Sequence, residues 1–460
     1  MEPLFLGTIL FYILLLWSFG WFASRRSKGS EDYLVASRTF STPFVSALVA
    51  GTWIGGVSVV GMAQGAFLHG LSAIGFQAGI WVAMCFTAAI LPRIIRGRKT
   101  YSILDVVAHS YDTRVANLAG FFQLIFSVWV VTMQIVGGGA ILSFILKGTV
   151  SAPQGMVLTA LVFSLYIVLG GVVATAYTNI LHLVTIFLGI IAGGIYLLQD
   201  TGGWAALQTS LPSFYFEPFG NLGFWTVLSW FLVNLTIGVL AQPVINAAAT
   251  AKDLHQGRLG ILLGNFLAIP VPLMAALCGI VARHRYPEIQ SIQALPMLLS
   301  DLPAFLSLLF LLGMWAPLMS SGSPFLMGAT TIVVRGYVVK SFPHLSDKKL
   351  LVASRIATLS ITALALALGF LVVEILRSVT EIAVLLTSVV ILMLMGGLLK
   401  NPSKRGGILS LIVSLGLLAL FLFTGWSKKI HPFWAVSLAT LIIMGISTWV
   451  KRYKGNPTAP

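Results

Sequence analysis

The sequence predicts an all-α membrane protein that crosses the bilayer many times, and three observations support this fold class. The 460-residue chain is 58% hydrophobic and only 9% charged, with a mean hydropathy of +0.96, values far outside the range of soluble domains. Apolar stretches of about 20 residues, the length that a helix needs to cross the hydrocarbon, recur along the whole chain. Lys and Arg concentrate in alternate segments between these stretches, as they do in cytoplasmic loops.

Thirteen apolar stretches are long enough to be membrane helices. We expect two five-helix units, at 42–199 and 222–399, with an extra helix at 4–24 and two more at 406–450, all within one transmembrane domain covering 1–460. The predicted limits of the spans are 4–24, 42–70, 71–95, 115–146, 154–175, 177–199, 222–249, 258–282, 304–335, 350–373, 378–399, 406–425 and 431–450.

The basic residues orient the thirteen spans. If the N-terminus lies outside and the C-terminus inside, all but six of the 28 Lys and Arg fall in inner segments. The net charge of +15 then reflects loops facing an anionic leaflet and does not indicate nucleic-acid binding. We expect a plasma-membrane protein, or an inner-membrane protein in a Gram-negative cell, with no obligate protein partner. The six outer residues are Lys147, Arg283, Arg285, Arg377, Lys428 and Lys429.

Two of the predicted helices are interrupted at membrane depth. The stretch "GTWIGG" at 51–56 interrupts the second span, and Gly238 and Pro243 interrupt the seventh. Unwound backbone is tolerated at this depth only where it is buried in protein or lines a polar cavity, although small residues also serve close helix packing. Because each break opens one five-helix unit, the pair indicates an inverted-repeat transporter with a site near the midplane.

Three segments resemble the sodium:solute symporter family. They are "EDYLVASRTFSTPFVSALVAGTWIGG" at 31–56, "GGVVATAYTN" at 170–179 and "ALPMLLSDLPAFLSLLFLLGMWAPLMSSGS" at 294–323. The resemblance implies a leucine-transporter-type core of ten helices in a 5+5 inverted repeat, alternating access, and Na⁺ as the coupling ion. The family has thirteen spans, the number counted above.

The resemblance also implies a set of sodium ligands. These are the backbone carbonyls of Thr52, Gly55 and Pro317 and the hydroxyls of Ser320 and Ser321. Neutral oxygens of this kind suit a small hard cation, and unwound turns present free carbonyls. The structural alternative is that both serines bond to carbonyls of their own helix, as serines in membrane helices often do.

Three positions depart from the family pattern or extend it. Asn179 stands where members that use a second ion site carry Asp, Ser323 is followed by a proline, and His182 replaces a Gln. The three residues are candidates for a second ion site or a proton site, and the departures favour one sodium per cycle. A His within a membrane span is a functional candidate by default, but His182 fits a hydrogen-bonded structural role equally well.

The solute is predicted less sharply than the ion. Because the core spans are nearly free of charge, a neutral, zwitterionic or cationic solute is favoured. The similarity of "GTWIGG" to choline transporters of the family, with a matching Trp in the third core helix, makes choline one candidate, while amino acids and sugars stay open. The candidate solute-binding residues are Trp53, Ile54, Ser58, Val59, Phe76, Gln77, Trp129, Gln134, Asn234 and Gln242.

The predicted function is therefore sodium-coupled import of a small organic solute across the lipid bilayer. A proton-coupled or uncoupled carrier of the same fold is the alternative. An enzyme is not expected, because "MSSGS" at 319–323 lacks the Gly-x-Ser-x-Gly pattern of a nucleophile elbow.

Overall fold

The computed structural model describes residues 2–25, 29–98, 102–146, 149–372, 375–399 and 402–455. Within these ranges the regular elements are helices, and the only strand-like contact is a bridge between Phe40 and Ala251. Lys147, one of the six basic residues predicted to lie outside, falls outside the described ranges, as does the last residue of the predicted span 350–373.

The helices follow the predicted apolar stretches, with short helices between them. Those preceding residue 215 are α1 (Glu2–Ser24), α2 (Ser30–Val35), α3 (Thr42–Trp53), α4 (Met62–His69), α5 (Gly75–Arg98), α6 (Ile103–Ala108), α7 (Thr113–Ile145), α8 (Ala152–Ile186), α9 (Ala192–Asp200) and α10 (Gly203–Ser210). Those after it are α11 (Gly223–Leu240), α12 (Gln242–Thr250), α13 (Leu254–Ala268), α14 (Pro270–Arg285), α15 (Ala294–Met297), α16 (Ala304–Thr331), α17 (Val339–Ser341), α18 (Asp347–Gly369), α19 (Ile375–Leu398), α20 (Lys404–Thr424) and α21 (Pro432–Gly455).

Shorter helical turns connect or extend these helices. The 3₁₀ turns are Ala36–Arg38, Gly70–Ile74, Ser213–Phe216, Gly220–Leu222, Ser291–Gln293, Leu298–Asp301 and Trp426–Lys428, and the π-helical turns are Val57–Gly61, Phe187–Ile191 and Ile332–Val338.

Eleven helical segments of the described residues are long and apolar enough to cross a membrane, compared with thirteen predicted spans. The difference lies in two long segments. Val57–Ile95, of 39 residues, takes in the second half of the second predicted span and the whole of the third, and Ala152–Asp200, of 49 residues, takes in the fifth and sixth. At about 1.5 Å per residue, a straight helix of either length would far exceed the hydrocarbon thickness of about 30 Å.

The 49-residue segment bends sharply at Gly171, whose φ of 58° and ψ of −139° are not helical. Tyr166 precedes this residue and packs against Gly20 of α1, whereas Tyr177 follows it and contacts Phe22 of α1. In an uninterrupted helix the two tyrosines would lie about 16 Å apart along the axis. Since both reach the same end of α1, the chain doubles back at Gly171.

Both predicted helix breaks are present. Between α3 and the π-helical turn at 57–61, Ile54 leaves the helical conformation with φ of −94° and ψ of 83°. The second break, at Ala241 with φ of −57° and ψ of 121°, separates α11 from α12, which Pro243 opens. A proline fits the first turn of a helix because the missing N–H has no helical partner there.

α16 runs through the centre of the molecule and is tied to other elements at both ends. Before its first residue, Asp301 pairs with Arg285 at 3.0 Å. Beyond its last residue, Arg335 pairs with Glu31 of α2 at 2.6 Å. Because 34 residues of mainly helical chain separate Asp301 from Arg335, the two ion pairs lie at opposite ends of the bundle, with the paired serines between them.

Replacing Gly171 with Ala is expected to destabilise the protein. The new Cβ would lie 2.3 Å from the carbonyl oxygen of Tyr33, and the backbone conformation is one that side chains disfavour by about 1–3 kcal/mol. The measurement is the melting temperature of the purified protein in detergent, which should fall clearly. Gly416→Ala is the control, because no atom lies within 4 Å of its added Cβ. Equal melting temperatures for the two variants would contradict the reversal.

Candidate functional site

The first break exposes backbone groups that a continuous helix would pair. The N–H of Ile54 makes the last helical bond of α3, to the carbonyl of Ala50. The next two backbone N–H groups bond to side chains. The N–H of Gly55 donates to Ser58 Oγ at 2.8 Å, and the N–H of Gly56 donates to Gln134 Oε1 of α7 at 2.6 Å. The i to i+4 bonds that these amides would otherwise make are lost, and the end of α3 presents carbonyl oxygens to its surroundings.

The hydroxyl groups of α16 meet these carbonyls. Ser321 Oγ donates to the carbonyl of Thr52 at 2.9 Å, and Ser320 Oγ lies 2.7 Å from the carbonyl of Ile54 and 3.0 Å from that of Pro317. Both serines are buried. The serine hydroxyls therefore bond across to α3, and the simple alternative, in which they bond only within their own helix, does not describe either of them.

The carbonyl of Gly55, which was among the predicted ligands, is already engaged within its own segment. It accepts hydrogen bonds from the N–H of Val59 at 3.0 Å and from Ser58 Oγ at 3.1 Å. The carbonyl of Ile54, which sequence reasoning missed, faces α16 in its place. No motif could identify it, because which carbonyl faces α16 depends on the backbone angles of the break.

This set of oxygens fits a small monovalent cation. Each of the two hydroxyls lies within 3.0 Å of at least one of the three carbonyls, and all of these groups are uncharged. A hydroxyl that now donates to a carbonyl can rotate its proton away and turn a lone pair towards a cation. Among the described residues there is no cluster of three or more His, Cys, Asp or Glu that could hold a metal ion of higher charge.

A narrow cavity adjoins the oxygen set and shares Thr52, Gly55 and Ser321 with it. Five predicted solute-binding residues line it: Trp53, Ser58, Phe76, Gln77 and Asn234. Sequence reasoning missed the apolar part of the wall, because nothing distinguishes those residues from ordinary core. That part consists of Val57, Ile80, Phe126, Val130, Ile237, Phe325 and Val379.

The other five predicted solute-binding residues do not line this cavity. Ile54 and Val59 are fully buried in the surrounding core, and Trp129 is partly buried outside the wall. Gln134 bonds to the N–H of Gly56 and thereby supports the break. Gln242 accepts a hydrogen bond from the N–H of Ile103 and donates to Asn246, so its polar groups are used in packing α12.

The three candidates for a second ion or proton site form hydrogen bonds with different parts of the protein. Asn179 donates to the carbonyl of Ala47 on α3, and Ser323 donates to the carbonyl of Met319 one turn earlier. His182 faces α1, where its Nδ1 lies 2.6 Å from the hydroxyl of Tyr12. The structure thus places only Asn179 against the broken helix.

Paired broken helices and a cavity with uncharged oxygens in its wall are typical of secondary transporters. The model of the sodium:solute symporter family matches residues 33–414, and the chain belongs to this family. Family membership supports Na⁺ as the ion for the oxygen set.

Individual relatives are similar at low identity. The chain is 24% identical over 355 residues to the uncharacterised symporter YidK of Escherichia coli K12, covering 72% of this chain and 62% of the relative. It is 23% identical over 392 residues to the human high affinity choline transporter 1, covering 80% and 67%. The chain thus spans about two thirds of the length of these relatives.

A solved structure shares the whole fold. The structure is of a Na⁺-coupled sialic acid symporter in a substrate-bound, outward-open state, and it superimposes with a TM-score of 0.82 at 14% identity, covering 97% of this chain and 98% of that one. The all-helical membrane fold of the sequence analysis is confirmed at this level.

Replacing Gly55 with Ala is expected to abolish the response to sodium. The added Cβ would lie 2.4 Å from Ser321 Cβ and 2.5 Å from its hydroxyl oxygen, so the broken helix and α16 could not approach as closely as they do. Gly322→Ala on α16 is the control, because its Cβ would meet its nearest neighbours at an ordinary 3.5 Å. The measurement is the increase in melting temperature caused by NaCl relative to KCl. Retention of this increase in Gly55→Ala would contradict the assignment.

Proposed function

We propose that the protein is a sodium-coupled symporter that imports a small organic solute by alternating access. The observation that carries the proposal is the set of uncharged oxygens shared by the broken end of α3 and by α16, beside a central cavity. The sodium:solute symporter family supports both the ion and the class of transport. The proposal includes a neutral, zwitterionic or cationic solute, and location in the plasma membrane.

The proposed topology has thirteen crossings, with the N-terminus outside and the C-terminus inside. The doubling back at Gly171 supports two crossings for the 49-residue segment. The 3₁₀ turn at 70–74 between α4 and α5 supports two crossings within the other long segment. The ten crossings between 42 and 399 would form the two inverted five-helix units, each opening with a broken helix.

The mechanism follows from which elements supply the oxygens. Thr52 and Ile54 belong to the broken end of α3, and Pro317, Ser320 and Ser321 belong to α16. A cation bound between them draws the two elements together, and the same contact fixes one wall of the cavity because Thr52 and Ser321 line it. Separation of α3 from α16 would dismantle the ion site and open the cavity together, so ion and solute would be released in one movement.

Removing either hydroxyl of the pair should weaken sodium binding. In wild-type protein a hundredfold excess of Na⁺ over its Kd would add about 2.7 kcal/mol to the free energy of unfolding. Loss of one ligand to a charged group costs about 1.5–3 kcal/mol, so Ser320→Ala and Ser321→Ala should each raise the Kd for Na⁺ roughly tenfold or more. The measurement is the melting temperature in a NaCl titration at constant ionic strength.

Ser354→Ala on α18 is the matched control, since Ser354 is equally buried and donates only to a carbonyl of its own helix, that of Leu350. It should keep the wild-type titration curve. If NaCl stabilises wild-type protein no more than KCl does, sodium coupling is wrong, and a proton-coupled or uncoupled carrier becomes the better description.

A further inference from the structure

Three residues that line the cavity each carry a buried polar atom with no hydrogen-bond partner within the described structure. These atoms are Oδ1 of Asn234, Nε1 of Trp53 and Nε2 of Gln77. The three residues are 0%, 5% and 1% exposed, so water does not compensate these atoms from bulk solvent. The orientation of the Asn234 amide is fixed, because its Nδ2 donates to the carbonyl of Trp230 at 2.9 Å.

The two unambiguous groups have opposite hydrogen-bonding character. Asn234 Oδ1 can only accept, and the indole N–H of Trp53 can only donate. A buried polar group that stays unpaired is costly, whereas a ligand that pairs it recovers the loss. A solute that satisfies both groups therefore carries an N–H or O–H donor for Asn234 and an acceptor for Trp53.

The charge of the cavity wall restricts the solute further. No residue of the wall is ionisable. Arg377 and Glu381, on the helix that contributes Val379, pair with each other at 2.9 Å. Because Thr52 and Ser321 belong both to the wall and to the cation site, a bound sodium ion would lie at the edge of the cavity, where it would repel a second positive charge in this low-dielectric setting.

Three of the aromatic residues in the wall pack against one another. Trp53 and Phe126 both pack edge-to-face against Phe325, with ring centroids 6.4 and 5.9 Å apart, respectively. Trp129, the residue that resembles choline transporters, lies outside the wall. A trimethylammonium group itself has neither a hydrogen-bond donor for Asn234 nor an acceptor for Trp53.

Resting on the proposed symport, we infer that the solute is a small molecule of zero net charge that presents a hydrogen-bond donor to Asn234 and an acceptor to Trp53. Uncharged amides and ureas belong to this class, and so do zwitterions that retain an N–H. Quaternary amines do not, although the human choline transporter is among the relatives that the chain resembles.

The first test is a panel of paired solutes. In each pair, one solute carries N–H hydrogen-bond donors, and in the other these hydrogens are replaced by methyl groups. Urea is compared with tetramethylurea, acetamide with N,N-dimethylacetamide, and proline with N,N-dimethylproline, and choline is added as the quaternary cation. Each is titrated against purified protein in NaCl and in KCl, and the melting temperature is recorded. The expected result is a sodium-dependent increase for at least one donor-bearing member and none for its methylated partner or for choline.

The second test uses variants of the two groups, with the solute that gave the increase. Asn234→Leu and Trp53→Phe should each weaken its binding about tenfold, the effect of about 1.4 kcal/mol, while the increase caused by sodium alone is retained. Asn265→Leu and Trp81→Phe are matched controls. Asn265 Oδ1 and Trp81 Nε1 are also buried without partners, but neither residue lines the cavity.

The outcomes separate this inference from the proposed function. A sodium-dependent increase with choline or with a methylated partner overturns the inference and leaves symport intact. The inference is also overturned if Asn234→Leu and Trp53→Phe bind the solute with unchanged affinity. It is overturned as well if the two control variants lose as much affinity for the solute as these variants do. If no solute of the panel gives a sodium-dependent increase, the inferred class is wrong, and if sodium alone has no effect either, the proposed function is also wrong.

Discussion

The centre of this molecule depends on one constraint: backbone groups freed by a break in a membrane helix must find partners inside the protein. The amides of Gly55 and Gly56 are satisfied by Ser58 and Gln134, and the carbonyls of Thr52 and Ile54 are reached by serine hydroxyls of α16. The two sets of partners have different consequences. The amides are donors and cannot bind a cation, whereas the carbonyls are bonded to hydroxyls that can rotate and admit a cation.

The parts of the fold that could be predicted are those with a direct physical signature in the sequence. Membrane helices follow from apolar length, and both breaks follow from glycine or proline at depth, as at Gly55 and Pro243. The doubling back at Gly171 was harder to place, because its only signature is a pair of glycines within a continuous apolar run. The boundary was accordingly predicted a few residues too late, between 175 and 177.

The residues of the candidate site likewise divide into those that the sequence could predict and those that it could not. Ser320 and Ser321 could be singled out because they fall in a segment that resembles the sodium:solute symporter family. Phe126 and Phe325 could not, since an apolar cavity wall and an apolar core have the same composition. Gln242 was assigned to the cavity because it is polar and adjoins a break, but polarity does not indicate on which side of a helix a residue lies, and its side chain instead packs α12.

The proposed ion site and the proposed solute cavity differ in how they can change during evolution. The proposed ion site is made of backbone carbonyls and two hydroxyls, so few side-chain substitutions alter it. The cavity is made of side chains, such as Asn234 and Phe76, that can be exchanged without disturbing the backbone. A family of this construction can keep one coupling ion while its members diverge in solute, which explains how relatives at 22–24% identity include choline and glucose carriers.

Ion pairs beyond the two ends of α16 tie this central helix to other parts of the bundle. Arg285 pairs with Asp301 before it, Arg335 pairs with Glu31 after it, and the serine pair lies between them along the helix. Any movement of α16 relative to α2 or α14 would have to stretch or carry along one of these pairs. The attraction within each pair therefore contributes to the free energy of such a movement.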